Sequence, residues 1–377
     1  MKVESIRENL SDLRLTFLSM FIKVSRQRIV FDVSSMNMLD FLEPVMRELP
    51  SSKYSISAPY GLRKELSARG FRVTSFKFLR FNRSCKVFIS ASIFSVGPRK
   101  AEKVFLSHGY PVKFSHFPRR FLENFNTYLV LGLRHKDWII QNLERVQLDP
   151  SRFKMIDLGF PRLELLSQSL SQNQSAQNFL FAPSWEPELR NQEYDRKLFE
   201  SLAVIAPANN LKIFIRLHPV SLSNQLKTSD TLQELVVEFA TRLPCHFIDV
   251  TDVPLEQLID NFSFAITDWS GIGLEMLYLK KKLISMPVND VTAFYSQLYG
   301  EDQGSTDELL LDALRNGGRD YSEKINLSNE ISQIAQDLVS YRNTPQRYDF
   351  PADEYFSNPL NSSSRIAHYL SCAAFPS

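Results

Sequence analysis

Short apolar runs alternate with helical spacings along the second half of the chain, from about residue 178 onward. Strands are predicted over 178–183, 211–216, 245–250 and 262–268, with 282–287 closing the series. Helices are predicted between them, over 191–206, 221–241, 254–261 and 271–280. Apolar runs of this length separated by helices imply a parallel sheet that is buried on both faces.

The first half of the chain shows the same alternation. Strands are predicted over 28–33, 53–58, 71–76, 85–90, 103–107, 127–133 and 153–159. The polar segment "SQSLSQNQSAQN" (167–178) separates the halves and is typical of a linker. We therefore expect an N-terminal domain over 1–168, a C-terminal domain over 169–345, and a segment over 346–377 that packs back on the N-terminal domain.

The predicted fold class is α/β, with two doubly wound Rossmann-like domains facing a cleft. In such sheets ligands bind at the carboxyl ends of the strands. This architecture resembles the GT-B glycosyltransferase arrangement, in which the C-terminal domain holds a nucleotide-activated donor and the N-terminal domain holds the acceptor. The resemblance makes 1–168 the acceptor side and 169–345 the donor side.

Composition and residue spacing bear on the partners, the redox compartment and the cofactors that we expect. The chain has 377 residues and a net charge of +2, so the overall charge does not indicate nucleic acid as a partner. Cys85, Cys245 and Cys372 are far apart and odd in number, which fits a reducing compartment without a disulfide framework. Neither the cysteines nor the six histidines have the spacing of metal ligands, so we expect no metal and no cofactor.

The N-terminal region contains a short apolar segment with helical spacing, Leu15–Val24. Acidic residues precede it and no small-residue cleavage site follows, so we do not expect a signal peptide. The segment is also too short to span a bilayer. It is either an interfacial helix with cationic neighbours or a helix packed on its own domain.

The stretch 77–120 is locally basic, with ten Lys and Arg residues and the single acid Glu102. Aromatic residues are interleaved with the cations. Such a surface attracts anionic lipid head groups or a polyanionic acceptor, although nucleic acid would leave the same footprint. The alternative is an ordinary solvated face whose charges are offset elsewhere.

Two strand ends in the predicted domains are followed by candidate catalytic or binding side chains. "SHGYPVK" places His108 after a strand, where a histidine can act as a general base or can be a structural residue. "IRLHPV" places Arg216 and His218 after another strand, and this pair suits a diphosphate. The alternative is that Arg216 points into solvent and His218 caps the next helix.

"TDWSGIGLE" opens a predicted helix, and helix N-termini bind anions. Thr267, Asp268 and Ser270 can cap its start, and the amides of Ser270 and Gly271 point outward. Glu275 lies one and a half turns into the helix, where a carboxylate can accept from both hydroxyls of a ribose. The alternative for Glu275 is a surface acid.

Five motifs in order make the picture more specific: "HGYPVK", "GFPRLELL", "FAPSWEP", "RLHP" and "TDWSGIGLE…KKKLI". Together they resemble the CDP-glycerol glycerophosphotransferase family, which includes the teichoic acid polymerases and primases of bacterial cell walls. That family shows an HGTP-type stretch, then G-x-PR-x-D, YAPTWR, R-x-HP and TDYSS-x-x-x-D followed by KKP. The resemblance covers roughly residues 85 to 290.

The resemblance implies roles for the candidate residues. His108 and His218 become the predicted catalytic residues, His108 as the base that deprotonates the acceptor hydroxyl and His218, with Arg216, on the donor diphosphate. Gly159 and Arg162, with the proline between them, would shape the crossover between the domains.

The resemblance also defines a donor site in the C-terminal domain. Thr267 and Ser270 would contact the phosphates at the helix start, together with Asp268 and Gly271. Glu275 stands seven residues after Asp268, at the place of the family's ribose-binding acid.

The sequence departs from the family pattern at several positions. They are Tyr110 for Thr, Glu186 for Arg after "PSW", Gly271 for the second Ser, Glu275 for Asp, and Leu283 for Pro after the lysines. The donor could therefore be CDP-glycerol, CDP-ribitol or a nucleotide sugar, and Glu186 leaves open a non-catalytic nucleotide-binding homologue.

The function implied by the resemblance is transfer of a glycerophosphate or related phosphoalditol unit from a CDP-activated donor. The acceptor would be a cell-surface polymer or a lipid-linked primer, as in teichoic acid or capsule synthesis. A GT-B glycosyltransferase that uses a nucleotide sugar is the alternative. We expect a cytoplasmic protein bound peripherally to the anionic inner face of the cell membrane, with no nucleic acid as partner.

Overall fold

A computed structural model describes the chain over 27–75, 84–110, 117–171, 177–184, 192–218, 230–268, 270–286, 324–326, 330–343, 350–357 and 360–376. The apolar segment Leu15–Val24, residues 172–176 of the linker and Glu186 lie outside these residues. None of the helices formed by these residues combines the length and the apolar character that a membrane-spanning segment needs.

The described residues form two compact units. One contains the described residues up to His108, those within Pro118–Glu164 and those from Tyr355 onward. The other contains the described residues within Gly109–Phe117 and Leu165–Glu354. We call them the first unit and the second unit.

The first unit contains a seven-stranded sheet among its described residues, and each strand pair is parallel. Its strands are β1 Ile29–Asp32, β2 Tyr54–Ala58, β3 Val73–Ser75, β4 Val87–Ser90, β5 Glu102–Leu106, β6 Thr127–Val130 and β7 Lys154–Asp157. They lie in the order β3-β2-β1-β4-β5-β6-β7. Strands β1, β2, β4 and β6 are buried at every position, as a sheet covered on both faces requires.

The second unit contains a six-stranded parallel sheet in the order β10-β9-β8-β11-β12-β13, as far as the described residues go. Its strands are β8 Phe179–Phe181, β9 Ile213–Ile215, β10 Phe247–Asp249, β11 Phe264–Thr267, β12 Lys282–Ser285 and β13 Lys324–Asn326. The prediction that 282–287 closes the series was wrong, because β13 pairs with β12 at the edge of the sheet. Its Lys-Ile-Asn sequence has no apolar run that marks a strand.

Helices connect many of the described strands, and three more follow the last of these strands. They are α1 Met36–Arg47, α2 Tyr60–Ala68, α3 Arg119–Leu122, α4 Leu133–Arg145, α5 Pro161–Ser169, α6 Gln192–Ala208, α7 Asp230–Arg242, α8 Gly271–Tyr278, α9 Ile331–Asn343, α10 Ala352–Tyr355 and α11 Ser362–Ala374. Of the predicted helix over 221–241, the part before Asp230 lies outside the described residues.

The helix predicted over 254–261 is instead two 3₁₀ turns, Leu255–Gln257 and Ile259–Asn261. The Gln257 amide donates to the Pro254 carbonyl at 3.1 Å, and the Asn261 amide donates to the Leu258 carbonyl at 2.8 Å. These three-residue steps are the tighter hydrogen bonds of short helical segments. The apolar spacing was therefore read correctly as helical, but the segment is too short to become an α-helix.

The residues from Tyr355 onward pack closely on the first unit. The Ser357 amide donates to the Leu131 carbonyl at 2.8 Å. Gly132, which precedes α4, leaves no room for a side chain, because a Cβ there would lie 2.4 Å from the Tyr355 carbonyl oxygen. Its φ of 179° is ordinary extended backbone, so space alone requires the glycine.

We expect Gly132→Ala to destabilise the protein by about 1–3 kcal/mol, since the new methyl group must displace backbone in a packed region. Gly61→Ala is the matched control. Gly61 lies in α2 with nothing within 4 Å of an added Cβ, so the change should be neutral or stabilising by up to about 1 kcal/mol. Urea unfolding of the two variants measures both effects, and equal stabilities would contradict the packing described here.

Candidate active site

The strand order of the second sheet places a switch point between β8 and β11, where neighbouring strands lead the chain to opposite sides of the sheet. Ligands of open α/β sheets bind at the carboxyl ends of the strands at such a point. The Thr267 hydroxyl, at the end of β11, donates to the Ala182 carbonyl at 2.6 Å. Thr267 is 1% exposed, so its side chain joins the two strands at this edge.

Asp268, the next residue, forms a bridge of hydrogen bonds to Ser184 at the same switch point. Its carboxylate accepts the Ser184 amide at 2.9 Å from each oxygen and the Ser184 hydroxyl at 2.6 Å. Both side chains are buried. Asp268 therefore holds the chain that leaves β8, a role that the sequence analysis missed because it considered Asp268 as a helix cap and a donor-binding residue.

Helix α8 begins directly beside this bridge. Ser270 is its N-cap, with extended backbone and no side-chain capping bond. The expected side-chain cap from Ser270 was therefore wrong. Asp268 does not cap the helix either, since its carboxylate accepts from Ser184. The Ser270 amide donates to the Asp268 carbonyl at 2.8 Å, so the expectation that it points outward was wrong. The Gly273 amide donates to the Ser270 carbonyl at 2.9 Å, and the Gly271 and Ile272 amides belong to the same first turn.

Gly271 brings a second backbone segment close to the start of α8. A Cβ at Gly271 would lie 3.2 Å from the Tyr110 carbonyl oxygen and 3.4 Å from the Tyr110 nitrogen. Gly109 turns the chain there with a φ of +128°, a conformation that favours glycine. Part of the motif that begins "HGY" therefore lies against the helix start that begins "SGIG", within the second unit.

Glu275 lies in the middle of α8 and is 3% exposed. The alternative of a surface acid is therefore wrong. A buried carboxylate is costly unless hydrogen bonds or a charge partner compensate for its desolvation.

The end of β9 carries the second predicted donor motif. The Arg216 amide donates to the Phe181 carbonyl at 2.9 Å, and its guanidinium Nη1 donates to the Val253 carbonyl. Arg216 thus holds the turn after β10 and does not simply point into solvent. His218 follows at the same strand end and is half-buried.

In the first unit, His108 follows β5 and is oriented by a backbone carbonyl. Its Nδ1 lies 2.8 Å from the Ala91 carbonyl oxygen, and its ring meets Phe41 edge-on with centroids 6.2 Å apart. A carbonyl can only accept, so Nδ1 carries the proton and Nε2 is the basic nitrogen of the neutral ring. His108 is exposed, which makes the arrangement suitable for a general base.

The predicted crossover residues lie at the start of α5. Gly159 has a φ of +86°. The Arg162 guanidinium lies 4.9 Å above the Phe41 ring centre, with Nη1 3.6 Å from the Asp40 carboxylate. Arg162 therefore anchors the start of α5 to α1, inside the first unit.

The lysines of "KKKLI" are structural in the second unit. Lys281 donates from Nζ to the Ile259 and Phe262 carbonyls at 2.7 and 2.8 Å. Burial lowers the pKa of Lys281 to about 8, against the opposing charge of Asp260. Lys282 donates to the Tyr341 carbonyl at 2.9 Å, near the end of α9, where a cation is favoured.

No group of His, Cys, Asp and Glu side chains suited to a metal ion occurs in the described part of the chain. No protein-family model matches the chain, and no curated protein matches it in sequence.

Solved structures do match the fold. A variant of the wall teichoic acid polymerase TagF, soaked with CDPG, aligns with a TM-score of 0.60 at 13% identity over 99% of this chain and 98% of that one. The fold is of the GT-B type. UDP-GlcNAc 2-epimerase from Methanocaldococcus jannaschii aligns with a TM-score of 0.53 at 11% identity, over 91% of this chain and 99% of that one.

The co-structure of S. aureus MnaA with UDP also aligns, with a TM-score of 0.53 at 10% identity over 92% of this chain and 96% of that one. At such identities the likeness establishes the fold alone. The predicted α/β class of GT-B type is thus confirmed, and a teichoic acid polymerase, the kind of protein that the five motifs resemble, is among the proteins that share it.

The bridge at the switch point predicts a ranking of stabilities. Asp268→Ala strands the buried Ser184 amide and hydroxyl, and about 1–3 kcal/mol is expected for each unsatisfied group. Ser184→Ala keeps the amide bond and loses one hydroxyl bond, so about 1 kcal/mol is expected. Denaturant unfolding of both variants checks the order, and an equal or reversed order would show that the bridge does not hold the two strands.

Proposed function

We propose that the protein is a transferase that moves a glycerophosphate or related phosphoalditol unit from a CDP-activated donor to a cell-surface polymer or a lipid-linked primer. The observation that carries the proposal is the switch point of the second unit, where α8, the helix that contains the buried Glu275, begins shortly after the Asp268–Ser184 bridge between β11 and β8. The five ordered motifs support the same activity.

The donor's anionic part is assigned to the start of α8. The Gly273 amide is taken by the Ser270 carbonyl, but Gly271 and Ile272 begin the helix and have no carbonyl one turn earlier to bond. The helix dipole adds partial positive charge, so the position favours a diphosphate. Arg216 and His218 at the end of β9 supply further hydrogen-bond donors to the diphosphate, as the motif "RLHP" implies. Glu275 is assigned to the ribose hydroxyls.

The chemistry is assigned to His108. Nε2 takes the proton of the acceptor hydroxyl, and the acceptor oxygen attacks the phosphorus that carries the alditol. A new oxygen–phosphorus bond forms as the bond to the bridging oxygen of the diphosphate breaks, and CMP leaves. The Ala91 carbonyl keeps the ring in the tautomer that this step needs.

A nucleotide-sugar transferase is the second candidate, and the likeness to a UDP co-structure favours it. A thermal-shift series with CDP, CMP, UDP and GDP separates the two, because a nucleotide that binds only the native state raises its melting temperature. Preference for cytidine nucleotides, followed by mass-spectrometric detection of an alditol phosphate on the acceptor, supports the first candidate. Binding of none of the four would remove both.

The acceptor and the membrane are assigned to the first unit. Phe94 is 47% exposed and meets Phe121 edge-on at 4.7 Å, and the Arg120 guanidinium lies 4.9 Å from the Phe121 ring centre. Arg99 and Lys100 are also exposed. Exposed aromatic rings beside cations suit the head-group region of an anionic membrane.

Substitution of the two assigned residues should separate chemistry from donor binding. His108→Ala should lower turnover about 10²- to 10⁴-fold with little change in donor Kd, because it removes only the base. Glu275→Ala should weaken nucleotide binding about ten- to a hundredfold, since hydrogen bonds to a charged group are lost. Glu275→Gln keeps one acceptor oxygen and should lose less.

Calorimetry with ribo- and 2′-deoxyribonucleotides gives the control for this pair. The deoxy compound should bind poorly to the native protein and should lose little more in Glu275→Ala. Equal losses for both compounds would show that Glu275 does not contact the ribose, and near-normal turnover of His108→Ala would remove the base.

The membrane assignment predicts salt-sensitive sedimentation with anionic vesicles and little with neutral vesicles, because exposed charges are screened by salt. Arg99→Glu combined with Lys100→Glu should reduce the bound fraction. Lys212→Glu combined with Arg242→Glu changes the net charge equally in the second unit and should not. Identical sedimentation of the two double variants would contradict the assignment of membrane binding to the first unit.

A further inference from the structure

The first unit has its own polar cluster at the switch point between β1 and β4. Asp32, the last residue of β1, is in register with Ser90, the last residue of β4, and is 0% exposed. Its Oδ2 accepts the Ser90 hydroxyl at 3.1 Å and also the Ser95 hydroxyl. Ser90 and Ser95 lie 2.9 Å apart between their hydroxyl oxygens. The cluster therefore closes the loop that leaves β4.

This loop holds His108 through a single peptide unit. The Ser92 amide donates to Ser90 Oγ at 3.0 Å, and the Ala91 carbonyl oxygen lies 2.8 Å from His108 Nδ1. That amide and that carbonyl belong to the same peptide bond, which is planar and has its N–H and C=O pointing in opposite directions. Fixing the N–H on Ser90 therefore aims the C=O at His108.

We propose that Asp32 is a positioning residue for His108, acting through Ser90 and the peptide bond between Ala91 and Ser92. An ionised carboxylate only accepts hydrogen bonds, so it draws the Ser90 hydroxyl proton toward itself and leaves the Ser90 oxygen to accept the Ser92 amide. The relay orients the Ala91 carbonyl, which in turn selects the tautomer with a basic Nε2. This inference rests on the proposed role of His108 as the base.

The cost of the arrangement supports a functional role. Oδ1 of Asp32 is buried without a hydrogen-bond partner among the described residues. Burial raises the pKa of Asp32 to about 6, although the two serine hydroxyls favour its charged form. The ordinary pKa of this carboxyl group, which applies to the unfolded chain, is 3.8, and below it the folded and unfolded chains are both protonated at Asp32. As the pH rises from there through the folded pKa, the unfolded chain loses the proton first, so the free energy of unfolding falls. At neutral pH the buried carboxylate therefore destabilises the fold. An asparagine of the same size would avoid that cost.

Three single variants test the relay. Ser90→Ala removes the oxygen that accepts the Ser92 amide. Asp32→Asn keeps the volume and removes the charge, and should be at least as stable as the native protein at pH 7. Ser57→Ala is the matched control, because Ser57 is in register with Asp32 on β2 and its buried hydroxyl has no hydrogen-bond partner among the described residues.

Two measurements are made on each variant. Nitrogen-15 NMR of the histidine rings reports the tautomer of His108, assigned with His108→Gln, and needs no activity. Steady-state kinetics with the CDP-linked donor separates kcat from KM. We expect Ser90→Ala and Asp32→Asn to lose the uniform Nδ1–H tautomer and about tenfold in kcat with an unchanged donor KM. Ser57→Ala should match the native protein in both measurements.

The outcomes separate this inference from the proposed function. A native His108 tautomer in both Ser90→Ala and Asp32→Asn, with melting temperatures near native, overturns the relay whatever the activity. An altered tautomer in Ser90→Ala and Asp32→Asn but not in Ser57→Ala supports the relay even if the donor proves not to be CDP-linked. An equal change in Ser57→Ala would assign the effect to general loosening of the sheet edge and also overturn it.

Discussion

Both parallel sheets depend on a buried carboxylate that joins the strands on either side of the switch point. Asp32 at the end of β1 accepts from Ser90 of β4, and Asp268 after β11 accepts from Ser184 after β8. The backbone ladders pair β1 with β4 as far as Asp32 and Ser90, and β8 with β11 as far as Phe181. The two carboxylates extend this joining to the segments that leave the sheet. Hydrogen bonds to a charged acceptor are the stronger kind, worth about 1.5–3 kcal/mol each. The same edges are where ligands of this fold class bind.

The two bridges differ in how completely they satisfy the buried charge. Both oxygens of Asp268 accept from Ser184, whereas Oδ1 of Asp32 has no hydrogen-bond partner among the described residues. The first therefore suits a framework role beside the start of α8, where we propose that the donor binds. The second leaves one buried oxygen uncompensated among the described residues, and the loop that it closes is the one that orients His108.

Other buried charges in the second unit secure backbone that lacks regular hydrogen bonds. Lys281 donates to carbonyls beside the 3₁₀ turn Ile259–Asn261, and Lys282 donates near the end of α9. These contacts explain a lysine pair in the motif without direct contact to a ligand. Gly271 adds a different constraint, because only a residue without a side chain lets the Tyr110 backbone lie so close to α8 without displacement.

The sequence by itself determined the fold class and most strands, because each buried strand is a local apolar run, as in Phe264–Thr267. It also determined the motif order and the strand-end positions of His108 and Arg216. The tertiary structure decided the bridges, since Asp32 and Ser90 are 58 residues apart and Ser184 and Asp268 are 84 apart. Strand order brings such pairs together, and no local pattern encodes it. The edge strand β13 was missed for the same reason, because pairing with β12 rather than its own composition makes it a strand.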